Sequence, residues 1–210
     1  MIKKNLKILI LTCIVILLPI IAGVILWDKM PAQMPIHWNI SGEADKWCSK
    51  AFGVFALPLI LLAIHWVCLA ITLADPKNSN NSGKIINIAF WIIPVISLAL
   101  SAFTYSAAMG DAMNIELFAA LLLGFIFIIT GNYMPKCRQS YTVGIKLPWT
   151  LHSEENWNKT HRAAGVVWVI CGIVTMISGF FSFIPLMIAS LAVAALFPMI
   201  YSYILYRKGI

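Results

Sequence analysis

The side chains with the clearest chemistry in this sequence are histidines that stand near carboxylates. In the first of two long loops, His37 precedes Glu43 and Asp45. An imidazole together with carboxylates can ligate zinc, but this spacing matches no strong zinc motif. The five cysteines contain no CxxC pair, and three of them lie inside apolar runs, where cysteine behaves as a small hydrophobe. We therefore expect no metal, no cofactor and no disulfide framework.

A second polar group lies further along the chain, where Glu154, His161 and Arg162 would come within reach of one another. Such a group at headgroup level motivates one hypothesis, a membrane enzyme or transporter acting on lipid or envelope precursors. However, no P-loop, G-x-S-x-G, H-E-x-x-H or dinucleotide fingerprint is present. No acidic or basic residue lies in the middle of an apolar segment, where coupled transporters usually carry one. We expect a protein that binds and is not an enzyme.

The elements that position these residues must lie in a membrane, because composition excludes an ordinary water-soluble fold. Of the 210 residues, 61% are hydrophobic and only 11% are charged, whereas a soluble domain is about 45–50% apolar and about 25% charged. A spanning helix needs roughly 20 mostly apolar residues. Six segments qualify and predict an all-α, polytopic integral membrane protein: Leu6–Trp27, Phe52–Leu73, Ile85–Met109, Ile115–Tyr133, Ala163–Phe183 and Ile184–Tyr206.

The lysines and arginines between these segments predict the orientation. With the N-terminus inside, 12 of them lie on the cytoplasmic side and three, Lys29, Lys46 and Lys50, on the outer side, which together make the 15 of the chain. The positive-inside rule then places both termini in the cytoplasm. The net charge of +7 is explained by this topology, so we expect no direct binding of nucleic acid. The predicted location is the inner (cytoplasmic) membrane of a bacterium.

The predicted outer loop, residues 28–50, has the pattern of a folded module. Ile36, Trp38 and Ile40 alternate with polar residues, as in a short strand, and Ser41-Gly42 is typical of a turn. The tryptophans of this region suit anchoring at the membrane interface, since the indole ring is amphipathic. The alternative is a recognition surface, in which polar residues add specificity beside aromatic anchors.

The predicted cytoplasmic loop, residues 134–162, ends in a helix start. Ser153 is a typical N-cap, and Glu155 and Lys159 form an i,i+4 pair in the favourable order. Four residues recur at helical spacing on one face: Trp157, His161, Ala164 and Trp168. We predict one continuous helix that runs from this loop into the fifth membrane segment.

The sequence leaves the roles of three membrane-boundary or buried residues open. His161 is either a satisfied interfacial histidine or a functional residue that contacts a partner or bonds Glu154, Asn132 or the loop backbone. Arg162 suits an anchor to lipid headgroups. His65 lies inside an apolar run, where a hydrogen bond to a neighbouring helix is the expected role.

Both loops resemble a known family. Gly131-Asn132, the run Val143 to Leu151, and the run Glu154 to Gly165 resemble the signature of SdpI-type immunity proteins, roughly "GN…VGIRTPWTL…E..W.KTHR.AG". The segments Met34 to Trp38 and Gly42 to Lys50 are similar to an extracytoplasmic module often found before it. The sequence departs from the pattern at Lys146-Leu147, where Arg-Thr is common.

The resemblance implies protection against a secreted, membrane-active peptide toxin. It also implies a receptor that holds a small winged-helix autorepressor at the membrane. Under that reading the candidate toxin-facing residues are His37, Trp38, Gly42, Asp45, Trp47 and Lys50. The candidate residues for the cytoplasmic partner or signature are Asn132, Gly144, Pro148, Trp149, Thr150, Glu154, Trp157, His161, Arg162 and Gly165. The expected partners are the lipid bilayer, the toxin and the repressor.

The same resemblance predicts two regions. Residues 1–75 would hold the first two spans and the outer loop, and residues 76–210 an SdpI-like region of four spans. A structural membrane component without a small ligand is the remaining alternative. The sequence does not identify the toxin, the oligomeric state or a catalytic or lipid-binding role of the inner motif.

Overall fold

The computed structural model of the protein describes residues 2–77, 83–111 and 114–210, without the side chains of residues 2–5 and 84. Within these ranges, six helices are long and apolar enough to cross a membrane. The predicted all-α, polytopic fold is confirmed. Residues 78–82, in the polar connector between the second and third apolar segments, lie outside this description, as do the side chains of Lys3, Lys4 and Lys84, which are among the 12 lysines and arginines counted on the cytoplasmic side.

Each apolar segment forms a helix because lipid offers its backbone no hydrogen-bond partners, so the bonds must be made within the segment. The helices are α1 (Ile2–Ile25), α2 (Leu57–Ala74), α3 (Gly83–Ala108), α4 (Ile115–Tyr133), α5 (Pro148–His152), α6 (Glu154–Phe180) and α7 (Ile184–Arg207). Short 3₁₀ turns cover Trp27–Lys29 and Met134–Lys136, and a π-helix, Phe52–Ala56, precedes α2.

A β-hairpin joins α1 to the π-helix. Strand β1 (Gln33–Trp38) pairs antiparallel with β2 (Ala44–Ser49), and bulges interrupt the register after Pro35 and after His37. The side chain of Asn39 builds the turn by accepting hydrogen bonds from the backbone N–H groups of Ser41 at 2.9 Å and Glu43 at 3.0 Å. The short strand and turn expected from the sequence are thus present, but the second strand was not predicted.

The chain divides into two compact units, of which unit 1 comprises Met1–Leu69 and Phe90–Phe118. Its helices are joined by buried hydrogen bonds. His65 lies 3.0 Å from the Thr12 hydroxyl, which donates to the Leu9 carbonyl, so the ring bonds a neighbouring helix as expected. From α3, the Ser97 hydroxyl donates to the Ile16 carbonyl at 3.0 Å and the Tyr105 hydroxyl to the Pro19 carbonyl at 3.1 Å.

The hairpin is attached to unit 1 by an apolar cluster. Met34 and Val54 are fully buried and pack with Met30 and Tyr105. The Nζ atom of Lys50 donates to the carbonyls of Trp27 at 2.9 Å and Met30 at 3.0 Å. The base of the hairpin is therefore fixed both by packing and by a charge-assisted bond.

Unit 2 comprises Ala70–Ala89 and Ala119–Ile210. Helices α4 and α6 cross at two glycine pairs: Gly124 with Gly172 and Gly131 with Gly165. A Cβ atom added to Gly131 would lie 2.8 Å from the Gly165 carbonyl oxygen, and one added to Gly124 would lie 2.6 Å from the Gly172 carbonyl oxygen. Small residues allow such close backbone approach in membrane helices.

Helices α6 and α7 are joined by hydrogen bonds along their length. The Thr175 and Ser190 hydroxyls are 2.6 Å apart, and the Trp168 indole donates to the Ala194 carbonyl at 2.8 Å. Residues of α7 that face α6 recur every four positions: Ser190, Ala194, Pro198 and Ser202, all buried. The domain boundary expected after residue 75 stays a prediction.

Candidate functional site

The residues of the inner motif form one connected arrangement in unit 2, which we call the signature segment (residues 131–165). The predicted N-cap is confirmed, since the Ser153 hydroxyl accepts from the Asn156 N–H at 3.1 Å. The Glu155–Lys159 pair is present at 2.8 Å. Helix α6 continues without interruption from Glu154 to Phe180, as predicted.

His161 is the buried centre of the signature segment. Its Nδ1 lies 2.8 Å from the Trp157 carbonyl, and its Nε2 accepts from the Ile145 N–H at 2.9 Å. Because a carbonyl can only accept, Nδ1 carries the proton and the ring is the neutral Nδ1–H tautomer. The imidazole also stacks on the Trp157 indole, with ring centroids 4.0 Å apart. Of the roles left open, the structure shows the bond to the loop backbone.

Gly144 lies against these two rings. Its φ is +116°, which favours glycine, and an added Cβ would lie 2.6 Å from His161 Nε2 and 2.7 Å from the Trp157 ring. The Trp157 indole donates in turn to the Cys137 carbonyl at 2.9 Å. The loop before α5 is thus closed directly over the first turns of α6.

Thr150 and Gln139 hold the other side of the loop. The buried Thr150 hydroxyl donates to the Ile145 carbonyl at 2.8 Å and accepts from the Leu147 N–H at 2.9 Å. The Gln139 amide donates to the Thr150 and Leu151 carbonyls, each at 2.9 Å. Pro148 begins α5 at a position where its missing N–H costs nothing.

Trp149 and Asn156 connect the signature segment to the end of α7. The Trp149 indole donates to the Ser202 hydroxyl at 2.8 Å and its ring packs against Tyr203 and Tyr206. The buried Asn156 amide donates to the Ser202 carbonyl at 3.0 Å and accepts from Thr160. Ser202 therefore accepts hydrogen bonds from two residues of the signature segment. The sequence pattern did not indicate these contacts.

Asp75 is the main residue that sequence reasoning missed. Its Oδ2 accepts from the Ser140 hydroxyl at 2.6 Å, the Tyr141 N–H at 2.8 Å and the Thr142 N–H at 3.1 Å. Oδ1 accepts from the Lys77 N–H at 2.9 Å. The sequence shows only an Asp-Pro step after an apolar run, which reads as a turn, so no local signal indicates a partner more than 60 residues away.

Burial and hydrogen bonding act on Asp75 in opposite directions. Burial by itself raises the pKa of the Asp75 carboxyl, but hydrogen bonds from Ser140, from the Lys77 N–H and from Thr142 outweigh it and hold the pKa below its ordinary value. The carboxylate is therefore the form that the loop binds. Nearby, burial raises the pKa of the Cys137 thiol to about 11, so this cysteine is an unreactive thiol at neutral pH.

The remaining signature residues are exposed or serve packing. Glu154 and Arg162 are exposed and line a shallow groove with Glu155, Asn158 and Lys159. Asn132 is exposed on α4. Gly165 is buried at its crossing with Gly131. Both ring nitrogens of His161 are taken by Ile145 and Trp157, so the ring does not form a group with Glu154 and Arg162, which was the basis of the enzyme or transporter hypothesis.

In unit 1 the hairpin carries the residues predicted to face a toxin. His37 and Asp45 are bonded at 2.5 Å, with side chains 54% and 38% exposed. The hydrogen bond from His37, together with the charge of Lys46, holds the pKa of the Asp45 carboxyl below its ordinary value. The Trp47 side chain is 53% exposed.

Three other hairpin residues have structural contacts. Trp38 packs edge-on against Phe103 with centroids 5.1 Å apart. Gly42 has a φ of +77° in the turn. Lys50 is bonded to the carbonyls of Trp27 and Met30, as described above. Within residues 2–77, 83–111 and 114–210, no three histidine, cysteine or carboxylate side chains gather as metal ligands.

Comparison with known proteins covers both regions. Residues 136–202 match the SdpI/YfhL protein family, and residues 14–62 match a domain of unknown function, DUF1648. The chain is 28% identical over 209 residues to a protein of Bacillus subtilis (strain 168) named "Immunity protein SdpI", covering 98% of this chain and 97% of that relative. No solved structure matches the chain significantly.

Proposed function

We propose that this chain, whose residues 136–202 match the SdpI/YfhL protein family, belongs with the SdpI-type membrane proteins and confers immunity to a secreted, membrane-active peptide toxin. The observation that carries the proposal is the similarity to Immunity protein SdpI over nearly the whole of both chains. That extent includes the hairpin, the signature segment and the six helices that could span a membrane. We place the protein in the cell membrane, with its hairpin outside and its signature segment in the cytoplasm.

The geometry supports binding in preference to catalysis. The polar residues of the signature segment bond to the backbone of their own loop: Thr150, Trp157 and His161 each hold part of the segment from Cys137 to Leu147. Their hydrogen bonds therefore maintain the conformation of this loop. A rigid surface is what recognition of a partner needs, because a surface ordered in advance loses less entropy on binding.

A receptor function is the finer part of the proposal. The signature segment, with its ordered loop and exposed residues such as Tyr141, Lys146 and Arg162, would hold a small winged-helix autorepressor at the membrane when toxin is present. Two observations support this receptor function. The motif resembles that of SdpI-type immunity proteins, and its loop is held in place by hydrogen bonds to its own side chains. The hairpin would be the part that meets the toxin.

Deletion of the gene tests the proposed function. Cells without the gene, challenged with secreted membrane-active peptides, should survive less well than cells complemented with it. Equal survival across such peptides would contradict the proposal. A co-purification of the membrane protein with winged-helix regulators, with and without toxin, tests the receptor part separately.

Variants of the hairpin test its part in protection. His37→Ala and Trp47→Ala remove exposed side chains, so protection should fall while the amount of protein in the membrane stays the same. Trp38→Ala also removes the contact with Phe103 and could lower the stability of the protein. For this variant the amount of protein in the membrane must therefore be measured together with protection. Full protection by all three variants would remove the hairpin from the mechanism.

A further inference from the structure

The distal part of the hairpin leaves apolar side chains uncovered. Ile40 in the turn is 76% exposed and Trp47 in β2 is 53% exposed. Asp45, Lys46 and Trp47 are exposed one after another. Because successive residues of a strand point to opposite faces, three in a row show that β2 is covered on neither face. In the part of the chain that the structure describes, the sheet has only these two strands.

The charges around these apolar side chains are mainly negative. On the predicted outer side of unit 1, three ammonium groups face five carboxylates: Asp28, Glu43, Asp45, Asp111 and Glu116. One of the three ammonium groups, that of Lys50, is turned inward onto two carbonyls and the Trp27 ring. Asp45 stays ionised because its pKa is lowered by the bond from His37. The outer end of unit 1 is therefore acidic, the reverse of the lysine-rich side.

Peptides that attack bacterial membranes need two properties, an apolar face that enters the lipid and positive charge that is attracted to anionic headgroups. The hairpin offers matching features: exposed apolar side chains among carboxylates. A surface with both features binds the same faces of the peptide that the membrane would bind, and so competes with the membrane for it.

We infer that the exposed hairpin residues Ile36, Ile40, Glu43, Asp45 and Trp47 form the docking surface for a cationic, amphipathic peptide. The inference rests on the proposed function and names the chemical class of the toxin segment that is recognised. The apolar anchors provide contact area and the carboxylates select positive charge.

A pair of synthetic peptides tests the inference in vitro. Both have the same apolar face of leucine and tryptophan, and one has lysines where the other has glutamates. The full-length protein is placed in nanodiscs of zwitterionic phosphatidylcholine, which removes the attraction of the lipid itself. The labelled lysine peptide should bind protein-containing nanodiscs in excess of empty ones, and binding should weaken as salt is raised because exposed charges are screened. The glutamate peptide should not show this excess.

Variants of the hairpin provide the control. The double variant Glu43→Gln/Asp45→Asn should weaken binding of the lysine peptide roughly threefold to tenfold, in line with exposed charge pairs. Lys46→Gln, which removes a neighbouring positive charge from the same strand, should leave binding unchanged or strengthen it. Trp47→Ala should weaken binding of the peptide at every salt concentration, because it removes an apolar contact.

Several outcomes would overturn the inference. Equal binding of the glutamate peptide would do so, as would binding that responds neither to salt nor to Glu43→Gln/Asp45→Asn. A hairpin that serves only as a lipid anchor would give no excess of bound peptide, which also overturns it. Survival tests in cells separate the two proposals. Equal protection against both peptides would contradict the inference that carboxylates select positive charge, but not the proposed function. Absence of any protection would contradict the proposed function.

Discussion

Gly144 shows how closely individual residues are fitted in the signature segment. Its left-handed backbone places it against His161 and Trp157, where there is no room for a Cβ atom. Thr150, Trp157 and His161 are fitted just as closely, because the side chain of each makes a hydrogen bond to a backbone group of the loop. These contacts give each of the three residues a structural role in holding the loop before α5.

Substitution of Gly144 should be costly. Gly144→Ala would strain the backbone by about 1–3 kcal/mol and would also push on the His161 ring. We expect a lower thermal unfolding midpoint of the purified protein in detergent, measured by intrinsic fluorescence. The matched control is Gly83→Ala, since an added Cβ there meets no atom of the described residues within 4 Å. Equal midpoints for the two variants would show that the close approach at Gly144 is not limiting.

At the scale of elements, the sequence predicted what depends on local pattern. The α4 bounds, Ile115–Tyr133, agree with the prediction, and α6 begins where the Ser153 cap indicated. The sequence did not predict the second strand or the π-helix Phe52–Ala56. Strand β2 contains Asp45, Lys46 and Trp47, all exposed, so it has no alternation of buried and exposed residues to detect.

Hydrogen bonds between polar residues that are far apart in the chain could not be predicted from the sequence either. Periodicity indicates which face of a helix is buried, but it gives no partner for a single polar residue. Asp75 bonds Ser140 and its neighbours, and Trp149 bonds Ser202, over more than 50 residues each. Of the candidate residues at the signature segment, those on α6 were identifiable from helical spacing, whereas their contacts were not.

Asp75 links the end of α2 to the loop of the signature segment and makes stability depend on pH. Its folded-state pKa lies below the ordinary value of about 3.9. The stabilisation is therefore fully present above that value and is lost as pH falls through the lower, folded-state pKa. Thermal midpoints of the wild-type protein should fall as the pH is lowered below about 4.

The variant Asp75→Asn should lower stability at neutral pH by roughly 1–3 kcal/mol, because five donors, among them both the N–H and the hydroxyl of Thr142, lose a charged acceptor. It should also reduce the acid-dependent part of the midpoint change. Asp28→Asn, at an exposed carboxylate, is the control and should behave like the wild type. A wild-type protein and an Asp75→Asn variant with the same midpoints from neutral to acidic pH would contradict this role.

At the scale of the whole molecule, the distribution of charge carries the topology. Twelve lysines and arginines fall on one predicted side and three on the other, out of 15. This asymmetry, together with the six apolar helices, supports both termini in the cytoplasm. The assignment of the hairpin to the outside and of the signature segment to the inside depends on it.

Reporter fusions test this topology. A fluorescent protein that folds only in the cytoplasm, fused after Lys208, should be bright, and alkaline phosphatase at the same position should be inactive. Phosphatase inserted within the hairpin turn at Ser41 is the reciprocal control and should be active. Phosphatase activity after Lys208 would reverse the orientation and with it the roles assigned to the two loops.

The two glycine crossings of α4 and α6 fix how closely these helices approach each other. An ideal Cβ on Gly131 points at the Gly165 oxygen at 2.8 Å and one on Gly165 points back at the Gly131 oxygen at 2.7 Å; Gly124 and Gly172 are reciprocal in the same way, at 2.6 and 2.7 Å. In each case a glycine Cα hydrogen takes the Cβ direction. Each crossing is therefore closed from both sides, since a side chain on either glycine would meet a main-chain oxygen of the partner helix, and a substitution at any of the four positions would push α4 and α6 apart.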